Sequence, residues 1–153
     1  MMYWRDMNSA SGASSPTPDT AGHRHVLVVD DDVDVAESYR DWLQSQDYVV
    51  TVVNNGAEAL RFILKTEVDA ILCDLMMPHM SGDMFYLAVM RSKPHLCKRF
   101  IFVTGQEGNP EVQAFLSKIN SLVLYKPISL MRLMGTLEVL FRRLAESRED
   151  SPR

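Results

Sequence analysis

The chain has 153 residues, with 20 Asp and Glu against 16 Lys and Arg, a formal charge of −4, 46% hydrophobic residues, 24% charged residues and 2 cysteines. This is the profile of one ordinary globular domain. An acidic balance argues against a nucleic-acid partner, which calls for clustered Lys and Arg to displace counterions from phosphates. No stretch reaches the roughly 18 apolar residues that span a bilayer, and the N-terminus lacks an apolar signal core. A cytoplasmic chain is expected, with no membrane partner and with Cys73 and Cys97 as reduced thiols in apolar stretches.

Residues 1–24 are mostly small and polar and include two prolines, too little apolar surface to offset the entropy of ordering them, so a disordered lead-in is expected. Residues 147–153 read as a second disordered tail, which leaves 25–146 as the folded domain. Each tail balances its own charges, so the −4 falls on the domain.

Within 25–146, strand-length apolar runs alternate with helical periods. His25 to Val29 is a continuous apolar run ending in three aspartates, the pattern of a strand buried on both faces. Val35, Ala36, Tyr39, Trp42 and Leu43 then form one face of a helix. YVVTVV (48–53) predicts a second strand, and Asn54-Asn55-Gly56 supplies turn and cap chemistry before a helix with Ala59, Leu60, Ile63 and Leu64 inward. VDAILC (68–73) predicts a third strand, and Pro78 and Gly82 mark a loop before a short helix from Asp83 to Arg91. Arg99 to Val103 predicts a fourth strand. A helix carrying Val112, Phe115, Leu116 and Ile119, a brief strand at Leu122 to Leu124, and a final helix with Leu130, Leu133, Met134, Leu137, Leu140, Phe141 and Leu144 inward complete the order.

This (βα)5 alternation predicts an α/β fold: a doubly wound parallel five-stranded sheet with helices on both faces. Ligands of such sheets bind beyond the carboxyl ends of the strands. At those ends stand Asp30-Asp31-Asp32, Asp74, Thr104 and Tyr125-Lys126-Pro127. Carboxylates gathered in one place suppress each other's ionisation unless cations offset them, and an all-oxygen set suits Mg2+. With a metal between Asp30, Asp31 and Asp74, a carboxylate can attack a phosphoryl group, while Lys126 and Thr104 offer an ammonium and a hydroxyl to its oxygens. The product is an aspartyl phosphate.

Taken together, VLVVDDD (26–32), NNGAEAL (54–60), AILCDLMMPHMSG (70–82), FVTG (102–105) and YKP (125–127) resemble the receiver domains of two-component response regulators, and in size the single-domain chemotaxis regulator. The resemblance runs from His25 to about Ala145. It implies a flavodoxin-like fold with strand order 2-1-3-4-5. It implies Asp74 as phosphoacceptor, Asp30 and Asp31 as organisers of Mg2+ with help from the Met76 backbone carbonyl, Thr104 and Lys126 as partners of the phosphoryl oxygens, and a cis Lys126-Pro127 bond. The implied donor is a phosphohistidine on a sensor histidine kinase or histidine phosphotransfer protein, recognised through the first helix, about Asp34 to Gln46. The implied role is an autocatalytic phosphoacceptor and self-dephosphorylating switch in a phosphorelay, rather than a turnover enzyme.

The sequence departs from the family pattern at one point. The aromatic residue that receivers usually carry three positions before the lysine is Val123, while Tyr125 stands two residues on, about 7 Å along the same strand face. Met76 and Gln106 flank the expected phosphate position.

Other readings compete for single residues. Asp32 is better read as the first helix's N-cap than as a ligand. His79 and His95 lack metal spacing and are read as loop residues, and the methionines after Asp74 as gap-filling core. With no output domain in sight, a downstream protein or self-association is expected to read the switch, unless the chain is a receiver cut from a larger hybrid kinase or regulator. A small Mg2+-dependent phosphatase of the haloacid-dehalogenase type also uses an aspartyl nucleophile, but wants a second aspartate where Met76 stands.

Overall fold

A strand covered on both faces calls for apolar side chains along its length, and residues 26–29, 70–73 and 100–103 in the three central strands meet that demand. The computed structural model describes residues 22–150, in which β1 (His25–Val29), β2 (Val49–Val53), β3 (Ala70–Asp74), β4 (Phe100–Thr104) and β5 (Leu122–Tyr125) form one parallel sheet in the order β2-β1-β3-β4-β5. Between them run α1 (Val33–Gln44), α2 (Gly56–Lys65), α3 (Gly82–Ser92), α4 (Pro110–Lys118) and α5 (Leu130–Asp150). A 3-10 turn, Pro94–Arg99, which the sequence reading missed, precedes β4 and buries Leu96.

Alternate residues of each strand feed two cores. Leu27 and Val29, Ile71 and Cys73, and Phe100 and Phe102 pack beneath α2, α3 and α4 with Ile63, Phe85 and Val112. Val26 and Val28, Ala70 and Leu72, and Ile101 and Val103 pack beneath α1 and α5 with Leu43, Leu133 and Leu137. Aromatic rings fill the first core, Phe100 stacking on Phe102 at 5.1 Å and Tyr86 meeting both edgewise or tilted.

Helix starts follow local chemistry. The Asp32 carboxylate accepts the Val35 N–H at 3.2 Å and caps α1, and Asn55 accepts the Glu58 N–H at 2.8 Å and caps α2. Asn109 caps α4, with Pro110 preset for the first turn. The start of α3 is held differently. Gly82 donates its N–H to the Leu75 carbonyl at 2.9 Å, and a Cβ on it would lie 2.5 Å from the Asp74 carbonyl oxygen and 2.8 Å from Leu75 Cα.

Beside one- or two-residue shifts at other element ends, three differences from expectation have an identifiable cause. β3 begins at Ala70 rather than Val68, because the Asp69 carboxylate accepts the His25 N–H at 2.7 Å and closes the sheet end; at its other end the strand extends to Asp74. The C-terminal tail expected from Ser147 is instead helical through Asp150. No Gly or Pro intervenes after Gly135 in α5, and adding a residue to a formed helix gains one hydrogen bond per residue fixed. At the other end, residues 22–24 belong to the fold: Arg24 lies 3.9 Å over the Phe141 ring and His23 Nδ1 is 2.7 Å from the Asp47 carbonyl. The remainder of both expected tails, 1–21 and 151–153, lies outside the described residues.

The methionines also divide. Met77 is buried and Met80 packs on the core, whereas Met76, Met84 and Met90 are exposed and do not fill gaps. Cys73 is buried and Cys97 partly so, both free thiols. Gly82→Ala forces backbone apart at the end of β3 and is expected to cost about 1–3 kcal/mol. Asn55→Ala, which only removes a cap, is expected to cost about 1 kcal/mol. Urea denaturation midpoints measure both, and an unchanged midpoint for Gly82→Ala contradicts the close approach.

Candidate functional site

The strand order reverses between β1 and β3, so the residues that end these two neighbours face a common crevice. Asp30 follows β1 directly and Asp74 is the last residue of β3; they are 1% and 6% exposed. Asp31 is exposed beside them, and carboxylate oxygens of Asp30, Asp31 and Asp74 all lie within 4.8 Å of one another. Lys126, just past β5, crosses to this cluster: its Nζ is 3.1 Å from Asp74 Oδ2 and 3.7 Å from Asp30 Oδ2. The Lys126-Pro127 bond is cis.

Each buried carboxylate has one oxygen committed to backbone. Asp30 Oδ1 accepts the Asp32 N–H at 2.9 Å, and Asp74 Oδ1 accepts the Met76 N–H at 3.1 Å. The other Asp74 oxygen meets Lys126, but Asp30 Oδ2 is buried without a hydrogen-bond partner. Such an orphan is costly unless a cation answers it. Burial pushes the Asp30 carboxyl up to about 6, with Asp74 and Asp31 adding to the shift and the Asp32 N–H and Lys126 opposing it. For Lys126, burial works against the charge, yet Asp74 and Asp30 outweigh it and hold the ammonium above its ordinary pKa. Three carboxylates with an unanswered oxygen form a hard-oxygen set able to hold a small divalent cation.

Thr104 closes β4 and is fully buried; its Oγ1 accepts the Gln106 N–H at 2.9 Å and its carbonyl accepts the Lys126 N–H at 2.9 Å. The five side chains read from the sequence as a site, Asp30, Asp31, Asp74, Thr104 and Lys126, thus stand at one sheet edge. Met76 shares it, with its side chain half exposed and its N–H on Asp74. Asp32 is the α1 cap and stands outside the ligand set. His95 pairs with Glu67 at 2.8 Å, and His79 occupies a left-handed turn at φ 69°.

Two neighbours escaped the sequence reading. Asn54 Nδ2 donates to the Asp30 carbonyl at 3.1 Å, tying the loop after β2 to the acidic loop. Tyr39 of α1 sits against the charged cluster, and burial raises its phenol to about 12. Neither carries a spacing signal, because each contact joins separate elements. Across the β4–β5 ladder, Val123 is opposite Phe102 and Tyr125 opposite Thr104. The Tyr125 hydroxyl accepts from Gln113 Nε2 of α4 at 3.1 Å, so the aromatic paired with Thr104 across the ladder is tied to a helix.

Comparison with known proteins agrees with this fold. The family described as the response regulator receiver domain matches residues 26–138. Response regulator MprA of Mycobacterium leprae is 31% identical over 118 residues, covering 77% of this chain and 51% of that protein. A putative transcriptional regulator of Haloferax volcanii is 33% identical over 123 residues, or 80% of this chain and 20% of that protein. The chain therefore spans about half or less of these curated relatives. Among solved structures, Vibrio cholerae chemotaxis protein CheY4 superposes with a TM-score of 0.69 at 28% identity, over 78% of this chain and 99% of that one. The receiver domain of a signal transduction histidine kinase from Syntrophus aciditrophicus gives 0.70 at 26% identity, over 78% and 90%. With the sheet order, the acidic crevice and the family match in agreement, the chain belongs to the response regulator receiver domains of two-component signalling.

Proposed function

We propose that Asp74 accepts a phosphoryl group from a phosphohistidine of a sensor histidine kinase or histidine phosphotransfer protein, and that the modified domain switches a protein-binding surface. One observation carries this reading: the buried Asp74 carboxylate is oriented by the Met76 N–H on one oxygen and the Lys126 ammonium on the other, beside the unpartnered Asp30 Oδ2. Mg2+ fits the donor set, and Asp30, Asp31, Asp74 and the Met76 backbone carbonyl are the groups to hold it. When bound, it supplies positive charge that neutralises the transferring phosphoryl oxygens.

An oxygen of Asp74 attacks phosphorus, the bond from phosphorus to the donor imidazole nitrogen breaks, and the nitrogen keeps the electron pair. Lys126 shifts from carboxylate to phosphoryl oxygen and holds the charge that the transfer delivers. The Thr104 hydroxyl reaches another phosphoryl oxygen, which moves the end of β4 and, through the facing Tyr125, loads the bond to Gln113 of α4. In this way a change of charge at one edge alters the outer surface. α1, which begins two residues after Asp31 and presents a half-exposed Val33, is the face offered to the donor protein. Phosphate changes the conformer populations only as far as it binds one of them more tightly. A cytoplasmic location accords with this role; among the described residues no helix is long and apolar enough to cross a membrane.

Acetyl phosphate with Mg2+ is expected to add one phosphoryl group to the intact protein by mass spectrometry. Asp74→Asn abolishes it, and a persisting adduct places the acceptor elsewhere. Lys126→Ala is expected to bind Mg2+ no more weakly than the unaltered protein, since the ammonium repels a second cation. It should still be modified, but lose the difference in amide exchange at α4 and β5 between the two forms; a difference of normal size contradicts the role of Lys126.

The raised Asp30 pKa sets a pH dependence. The folded protein holds the Asp30 proton more tightly than the unfolded chain, so without metal its stability falls as pH rises from about 4 through about 6. The cost is at most about 3 kcal/mol for a shift of about two units. Mg2+ needs the ionised form, so it should raise the melting temperature more at pH 7 than at pH 5. Asp30→Asn should raise the metal-free melting temperature at pH 7 and remove the response to Mg2+. Equal Mg2+ responses at both pH values in thermal denaturation contradict the assignment.

A further inference from the structure

Where β4 and β5 begin, at the sheet edge opposite Asp74, lies a recess of about 290 Å3 with a two-part lining. Its floor is apolar: Leu122 and Leu144 line it partly exposed, with Phe100 and Leu140 almost wholly covered at 1% and 2%, and the Tyr86 ring meets Phe100 edgewise at 5.1 Å. Its rim carries the cations Lys98 and Arg143, with the amide of Asn120 and the hydroxyl of Ser121 between the elements that bear them. A second recess of about 140 Å3 shares Lys98 and adds His95, Arg99 and Arg148. Among the described residues, no Asp or Glu lines either recess.

In a chain of net charge −4, this is a local reversal of sign. Among the described residues, Lys98, Arg143 and Arg148 enter no ion pair. Arg99 is the exception, donating from Nη1 to the Asp69 carbonyl at 3.3 Å and lying 3.9 Å from its carboxylate, with its Nε buried without a hydrogen-bond partner. Lys98, Arg143 and Arg148, unlike Arg99 and His95, have no counter-charge among the described residues, so they repel one another and the recess walls concentrate their field. An anion relieves that repulsion, and an apolar floor rewards a flat ring.

We propose that the two recesses form one binding site for a phosphate-bearing small molecule with a planar ring, a mononucleotide. The ring lies against Leu122 and Leu144, and the phosphate sits among Lys98, Arg143 and Arg148. Guanidinium groups suit this task because their donors form two parallel bonds to phosphate oxygens. The site is separate from Asp74, so it stands or falls independently of the phosphoryl-transfer reading.

The test is a set of 1H–15N amide titrations of the full chain in EDTA with AMP, GMP, adenosine, inorganic phosphate and an acidic hexapeptide. AMP or GMP is expected to shift the amides of Lys98, Asn120, Ser121 and Arg143, with adenosine and phosphate each binding at least about tenfold more weakly. Arg143→Ala and Lys98→Met should each weaken the nucleotide about tenfold. Arg142→Ala, an exposed cation of α5 outside both recesses, should leave affinity unchanged. The otherwise unchanged spectrum of each variant reports that it is folded. The proposal is overturned if no nucleotide shifts these amides, if inorganic phosphate binds as well as AMP and GMP, if the peptide alone binds, or if Arg142→Ala costs as much as Arg143→Ala.

Discussion

Lys126 placed between two buried carboxylates is the interaction on which the rest depends. Its Nζ stands 3.1 Å from Asp74 and 3.7 Å from Asp30, both nearly inaccessible to water. Without that ammonium, two carboxylates in a common crevice would meet desolvation and repulsion together, and the easiest relief would be for both to take up protons. With it, Asp74 is held in place while Asp30 remains strained, its Oδ2 unpartnered and its carboxyl raised to about 6. The domain thereby stores an electrostatic demand at one sheet edge, which a further cation or a rearranged charge distribution can satisfy.

The rest of the fold serves to hold that edge. Parallel pairing brings the ends of β1, β3, β4 and β5 to the same side, and burial of both faces leaves the strands no freedom to slip by a residue without turning Val and Ile toward the wrong core. Gly82 lets α3 begin against the backbone of Asp74, and Asn54 anchors the Asp30 carbonyl from the adjacent loop. Charge at the opposite edge has the reverse sign. Lys98, Arg99, Arg143 and Arg148 gather around recesses that no carboxylate lines among the described residues, so an acidic chain carries a basic end.

Much of this was legible before any coordinates, for identifiable reasons. The strands are short, continuous apolar runs, and the helices show a clear apolar stripe, so their order follows from periodicity alone. Asp30, Asp31, Asp74, Thr104 and Lys126 could be named because each stands where an apolar run stops. Asp32 could be separated from its neighbours because a helix begins immediately after it. The end of α5 could not be placed: Ser147 to Asp150 are all polar residues, so they carry no stripe, and their helicity is inherited from the buried turns before them. Exposure of Met76, Met84 and Met90 was equally hidden, because methionine suits core and surface alike.

The alternation of strands and helices, the cap at Asp32, the cap chemistry of Asn54-Asn55-Gly56 and the set of charged residues at strand ends are legible in the chain alone, because all of these are written in neighbours along it. Only the tertiary structure decided which of those charges meet and at what cost. Lys126 is 52 positions from Asp74, Asn54 is 24 from the Asp30 carbonyl it bonds, and the basic end draws on a 3-10 turn, the start of β5 and the last turns of α5. Net charge sums over the whole chain and cannot report a separation of sign between two edges of one sheet. Folding makes that separation, since it alone fixes the distances on which Coulomb energies depend.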